Sequence, residues 1–209
     1  MPRASREQAK ANRLAIEEAS SHLFRERGVA AVSVADVMGA VGLTAGGFYG
    51  HFASKDELAA IACKNAFEEA ARRWRKRVQK EKDKRAAFNE IVDDYLTRRN
   101  RDDPSDACPS VTLASDVARQ SADMPMRDAY LKGIKGQIKT LASLCEVENS
   151  DTARRNAMMQ LALLVGAMSL AQASQGDEIS DQFLEVGRDF LRASAAPPVD
   201  AIDEPTRED

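Results

Sequence analysis

Residues Ser33 to Leu58 read SVADVMGAVGLTAGGFYGHFASKDEL. Ser33 stands where a helix N-cap would accept from the backbone, and Val34, Val37, Met38 and Val41 follow at helical spacing until Gly42 closes the segment. Thr44 then opens a very short helix running only to about Tyr49. Ser54 opens a long one, with Asp56 and Glu57 in its first turn, where they complement the positive end of the helix dipole. Two short helices joined by a Gly-containing turn are the signature of a helix-turn-helix, whose second helix lies in the DNA major groove. The inward positions Val34, Val37, Val41, Leu43 and Phe48 suit packing against a preceding helix. The outward positions Thr44, Ala45, Gly46, Gly47 and Tyr49 are small or hydroxylated, which lets free N–H groups approach a phosphate closely.

The flanks continue the helical pattern. Upstream, Ser5 and Gln8 form a capping-box pair, Leu14, Ala15, Ala19, Leu23 and Phe24 repeat at helical spacing, and Gly28 ends the segment. Downstream, Leu58, Ile61, Ala62, Ala66, Trp74 and Val78 extend one helix to about Lys80. Further helices are expected around Phe88–Tyr95 and Val111–Ala118, then over 126–145, 152–174 and 180–195, with Pro104 and Pro109 bracketing a loop. Aromatics make up only 5% of the chain and no convincing strand pattern occurs, so the expectation is an all-α protein of roughly nine helices.

Thirty Lys and Arg against 33 Asp and Glu exclude a protein held to nucleic acid by gross positive charge. The distribution is uneven, however. Arg3, Arg6, Lys10 and Arg13 face only Glu7 in the first thirteen residues, whereas Asp200, Asp203, Glu204, Glu208 and Asp209 face only Arg207 at the other end. This predicts a basic arm and a solvated acidic tail over 196–209. Cys63, Cys108 and Cys145 form neither a disulfide framework nor a metal-binding pair, which suits a reducing compartment. The start has no apolar segment behind it, and the apolar run Leu161 to Met168 is far short of the ~20 residues that cross a bilayer. A cytoplasmic location is expected.

The Ser33–Leu58 stretch closely resembles the DNA-binding signature of TetR/AcrR-type transcriptional repressors. The resemblance rests on the serine start, the Gly-Leu-Thr turn, the Phe-Tyr-x-His-Phe cluster and the Ser-Lys-Asp-Glu-Leu opening of the long helix. Asp102-Asp103-Pro104 and Cys108-Pro109, followed by Ala-Ser-Asp-Val-Ala-Arg, resemble a subgroup of these regulators. The resemblance implies a three-helix DNA-binding domain over 1–53 and an effector-binding and dimerisation domain over 54–195. It implies that Thr44 caps the recognition helix and donates to a phosphate, that Ala45 and Gly47 face base edges, and that Tyr49, His51 and Lys55 touch phosphates. Arg3 or Arg6 would enter a minor groove, and Ser33 and Gly46 complete the candidate DNA-contact set. Ala45, Gly46 and Gly47 offer no long hydrogen-bonding side chain, so specificity would lean on main-chain contacts, thymine methyl contact and DNA shape.

The implied protein is a homodimeric repressor without cofactor or metal, released from a palindromic double-stranded DNA operator by a small apolar or electrophilic effector. For the dimer, Ala162, Gly166, Ser169 and Ala173 line one face of the 152–174 helix with small residues. Phe183, Val186, Gly187, Phe190 and Leu191 continue on the next helix, giving a four-helix interface. Pocket candidates are Trp74, Phe88, Ile91, Tyr95, Leu113, Met124, Met126, Tyr130, Ile134, Met159 and Leu163, with Cys108 as a candidate reactive thiol before Pro109. No catalytic motif appears: there is no Glu-x-x-His pair, HExxH, phosphate loop or GxSxG. A protein–protein adaptor retaining the fold is the alternative to a DNA-binding regulator.

Overall fold

The computed structural model describes residues 6–121, 123–147 and 149–194. Arg3, Ser5 and the acidic stretch 196–209 lie outside them. The described residues form ten α-helices and one 3-10 helix, with no strand among them. In order these are α1 (Arg6–Arg27), α2 (Val34–Ala40), the 3-10 helix Ala45–Gly50, α3 (Lys55–Lys80), α4 (Lys84–Tyr95), α5 (Arg98–Asp102), α6 (Pro109–Thr112), α7 (Ala114–Arg119), α8 (Pro125–Leu144), α9 (Ser150–Ala173) and α10 (Glu178–Ser194).

Two of these correct the expectation of nine. The stretch between Tyr95 and Pro104, assigned to no helix from the sequence, holds α5, because Thr97 caps it by accepting the Asn100 N–H at 3.2 Å. The helix expected over 111–118 breaks at Leu113, whose side chain is buried while its backbone bends between α6 and α7.

Local signals explain the N-terminal elements. Gly28 ends α1 at φ +80, a left-handed conformation that glycine adopts without steric penalty, and its N–H donates to the Phe24 carbonyl at 3.0 Å. Ser33 and Asp36 form a reciprocal capping box that starts α2. Ser54 caps α3 by accepting the Glu57 N–H at 3.0 Å.

Two apolar cores result, and α3 joins them. Ile16, Phe24, Val37, Met38, Phe48 and Phe52 meet Leu58, Ala62 and Cys63 of α3 in the first core. That core also takes in Leu113, Val117 and Met126 from much later in the chain. Trp74, near the other end of α3, belongs to the second core with Phe88, Ile91, Tyr95, Leu141, Leu161, Leu164, Met168, Leu184 and Leu191. Helix α8 lies against α3 so closely that a Cβ on Gly133 would sit 2.2 Å from the Phe67 ring. Only glycine permits that approach.

Helix α9 is long and apolar enough to cross a membrane by length and composition alone, although its uninterrupted apolar run is short. Its Ala157, Leu161, Leu164, Ala167, Met168 and Ala171 are buried against the domain. Its opposite side leaves Met158, Met159 and Leu170 exposed.

Candidate DNA interface and effector cavities

The chain places the expected recognition element on the surface as a six-residue 3-10 helix. Three of its six residues are glycines, which disfavour the α-helix, and Phe48 anchors it by full burial. Thr44 precedes it in extended backbone and makes no side-chain cap bond, which corrects the expected capping role. Its carbonyl accepts the Gly47 N–H at 3.0 Å, so the exposed hydroxyl is left for another partner. Ala45, Gly46, Gly47 and Tyr49 are exposed together on the outer side, with Tyr49 at 74%. The Tyr49 ring meets Phe48 edge-on at 5.3 Å, so the core fixes its base while its hydroxyl end stays in solvent.

His51 and Lys55 follow on the same side of the sequence, both half-buried, with Lys55 the first residue of α3. Arg6 is exposed at the start of α1. The Ser33 hydroxyl donates to Asp36 Oδ2 at 2.6 Å, and that bond, with the Ser33 N–H, holds the Asp36 carboxyl below its ordinary range. Ser33 is thus engaged in starting α2.

Sequence reasoning missed Arg13. Its guanidinium lies 4.4 Å over the Phe52 ring and donates to the His51 carbonyl, while it pairs with Glu17 at 3.0 Å and with Glu57 at 3.8 Å. One side chain of α1 thereby fixes the loop that carries His51 and the first turn of α3. The available signal was only Arg13 and Glu17 four residues apart, which reads as an ordinary helix-surface pair.

This arrangement of α2, a tight turn and a solvent-facing element has counterparts among known proteins. Residues 16–61 match the family described as "Bacterial regulatory proteins, tetR family". Over these residues the chain carries the DNA-binding signature of the TetR family. It is similar to the HTH-type transcriptional regulator TtgR of Pseudomonas putida, with 27% identity covering 94% of this chain and 99% of that protein. Its fold is similar to E. coli NemR in the reduced form, at TM-score 0.75 and 21% identity, covering 90% of this chain and 99% of that one. It is also similar to a TetR transcriptional regulator from Legionella pneumophila, at TM-score 0.73 and 19% identity, covering 93% and 99%.

The expected pocket residues do not converge on one cavity. Trp74, Phe88, Ile91 and Tyr95 pack in the second core, with Leu163 and Cys108 partly buried against it. Leu113 and Met126 belong to the first core, and Tyr130 packs partly buried against it. Met159 corrects the expectation, because α9 turns it outward and leaves it 72% exposed. Helical periodicity alone does not tell which apolar face of an all-round apolar helix meets its own domain.

Two cavities draw on parts of the expected set. One of about 200 Å³ brings together Trp74, Tyr95 and Cys108 with Arg73, Arg77, Asp94, Asn100 and Asp106. Its walls are tied by Arg73 to Asp106 at 2.7 Å and by an Arg77–Asp94 ion pair. The Cys108 sulfur accepts from Gln137 Nε2 at 3.0 Å and lies 2.9 Å from Ser110 Oγ, which in turn lies 3.2 Å from the Tyr95 hydroxyl. Burial, then the neighbouring Cys108, raises the Tyr95 pKa well above its ordinary value. Tyr130 donates to the Ser110 carbonyl at 2.9 Å, so Tyr95, Tyr130 and Gln137 converge on Cys108 and Ser110 at the start of α6. A second cavity, of about 550 Å³, lies between α3 and α8 and shares only Trp74 with the expected set.

The expected dimer residues divide likewise. Ala162, Ala173 and Phe190 are exposed, and Gly166, Ser169 and Phe183 half-buried. Gly187 is buried within the chain, where a Cβ would lie 2.9 Å from the Ala167 Cβ and 3.3 Å from Leu96 Cδ1. Its smallness serves the close approach of α10 to α9 and not an outer surface.

Proposed function

We propose that this TetR-family protein is a homodimeric, cytoplasmic transcriptional repressor that binds a palindromic DNA operator and is released by a small apolar or electrophilic effector. The observation that carries the reading is the exposed Ala45–Gly46–Gly47–Tyr49 surface on a turn clamped by Phe48 and Arg13. A rigid, small-residue surface of this kind suits the close backbone approach that phosphate and groove contacts need. Thr44, Tyr49, His51, Lys55 and Arg6 supply hydroxyls, an imidazole and cations around it. None of these is a long base-reading side chain at Ala45 to Gly47, so DNA shape carries much of the specificity.

The dimer reading is supported by the outward faces of α9 and α10, where Met158, Leu170, Val186 and Phe190 are exposed beside Ala162 and Ala173. Two such helices from each protomer would bury these side chains in a four-helix interface. The electrophile reading is supported by the Cys108 sulfur, held by Gln137 and Ser110 beside a cavity. An adduct there would displace both contacts from α6.

Selection of bound genomic fragments by the purified protein, followed by gel shifts on the recovered sites, tests the DNA reading. Recovery of one palindromic sequence is expected; no enrichment over random fragments would sink it in favour of an adaptor. For the thiol, Cys108→Ser should abolish DNA release by electrophiles and preserve release by unreactive ligands. An unchanged response to every inducer makes Cys108 structural.

A further inference from the structure

The geometry points to the α3–α8 cavity as a binding groove for a linear-chain carboxylate, with its anionic head at the Arg75–Thr140 end. This names the ligand class for the effector reading above and rests on it only for the consequence at DNA. The groove is walled by α3 from Ala60 to Arg75 and by α8 from Pro125 to Thr140. The two walls run in the same direction. Leu58 and Ala62 share the first core with Met126, and Trp74 shares the second with Ile138, Leu141 and Leu144. Each wall is therefore about 22 Å long at the rise of an α-helix. The cavity of about 550 Å³ is spread along walls of that length and is therefore elongated. Such a shape takes a long thin ligand and not a broad one.

The lining sets the chemistry along that length. Ile61, Phe67, Ala71, Trp74 and Ala129 make an apolar floor. Gly136 removes bulk from the α8 wall, because a Cβ there would meet nothing within 4 Å. Lys64 pairs with Glu68 at 3.6 Å, and Asp128 and Lys132 stand four residues apart on α8 toward the Pro125 end, so these four charges sum to zero. At the opposite end Arg75 is exposed and has no carboxylate partner among the described residues, and Thr140 lines the wall with its hydroxyl donating to the Gly136 carbonyl at 3.2 Å. An alkyl chain on the floor thus ends beside an uncompensated cation. Gln137 stands at this same end and donates to the Cys108 sulfur, so a bound head group presses on the residue that holds the thiol.

The experiment uses the full chain without DNA and saturated carboxylates of eight to sixteen carbons, each with its matched alcohol, below their aggregation concentrations. Trp74 is the chain's single tryptophan and lines the groove, so its fluorescence reports binding directly, with melting temperature as the second readout. Affinity should rise about fourfold per added methylene until the groove is full. The acid should bind roughly tenfold more tightly than the alcohol, and Arg75→Gln should erase that difference while keeping the alcohol's affinity. Gly136→Leu, which fills the groove without touching the core, should cut binding at least roughly tenfold with melting temperature preserved. Ala129→Leu carries the same expectation and serves if that variant misfolds. Equal binding of acid and alcohol, an Arg75→Gln variant indistinguishable from the parent, or full binding by both filled variants would each overturn the assignment. Gel shifts on the selected operator separate the two readings. An operator bound equally with and without a bound carboxylate leaves the groove standing and removes its effector role. An operator bound and no carboxylate bound removes the groove and leaves the regulator.

Discussion

The carboxylate of Asp116, in α7, accepts the backbone N–H of Val29 at 3.2 Å across 87 residues of sequence. A second bond runs parallel to it: Arg25 Nη1 donates to the Ala107 carbonyl at 3.2 Å, one residue before Cys108. The turn that ends α1 is thereby tied at two points to the Ala107–Asp116 segment of the larger domain. The Arg25 side chain is fully buried, and desolvation is the first cause that lowers its pKa. Its Nη2 lies 3.6 Å from Glu69, too far for a hydrogen bond, so the backbone carbonyls of Ser21 and Ala107 carry its hydrogen bonding. A displacement of α6 by a ligand at Cys108 therefore reaches α1 through short, buried bonds.

Both ties should matter to stability. Asp116→Ala leaves the buried Val29 N–H unpaired and is expected to cost about 1–3 kcal/mol, and Arg25→Met a similar amount. Urea denaturation followed by circular dichroism measures both. The double variant should deviate from additivity, because the two bonds hold one turn. Strict additivity would show that the head and the segment are not clamped as a unit.

Lys55 begins α3 beside the exposed turn, and its role at DNA is expected to be electrostatic. Lys55→Ala should weaken good and poor operator sites about equally and reduce the slope of log affinity against log salt by about one. A changed base preference in the selected sites would refute a phosphate contact.

Gly166 on α9 has nothing within 4 Å of where a Cβ would lie, so a larger side chain there fits the isolated protomer. Gly166→Leu should thus keep the melting transition of the protomer while destabilising the α9–α10 dimer by roughly 1–3 kcal/mol. Light scattering across a dilution series reads this as a shift toward monomer. An unchanged dimer would exclude this face.

Cys63 is buried in the first core, and desolvation alone raises its pKa to about 12. The native state keeps the neutral thiol while the unfolded chain ionises at about pH 8.5. The contribution of Cys63 to stability is therefore complete below that pH and is lost as pH rises from there toward 12. Cys63→Ala should flatten the alkaline fall in stability, and Cys63 should resist alkylation in the native protein at about pH 8, where a free thiol is already partly ionised. A native-state alkylation rate equal to that of the unfolded chain would contradict its burial.

The DNA-binding end was legible because local chemistry specifies it. Ser33 with Asp36, Ser54 with Glu57, and glycines at 28 and 42 set helix starts and stops within a few residues of themselves, where capping bonds and left-handed backbone operate. Phe48 and Phe52 were equally readable as core from their spacing beside α2. Thr44 shows the limit, since an N-cap pattern without a following α-helix leaves its hydroxyl unbonded. Where the later helices place their apolar faces was decided only by tertiary packing. Met159 and Leu161 are equally apolar and two positions apart, yet one is exposed and the other buried, because the direction of α9 depends on α8 and α10. Gly187 and Gly166 are alike in sequence, but the first meets Ala167 inside the chain and the second meets open space. The Arg13–His51, Arg25–Ala107 and Asp116–Val29 bonds join residues 38, 82 and 87 positions apart, so they exist only once the helices have packed. Periodicity and capping act within a helical turn or two, whereas cavities and long-range polar ties are products of three-dimensional contact.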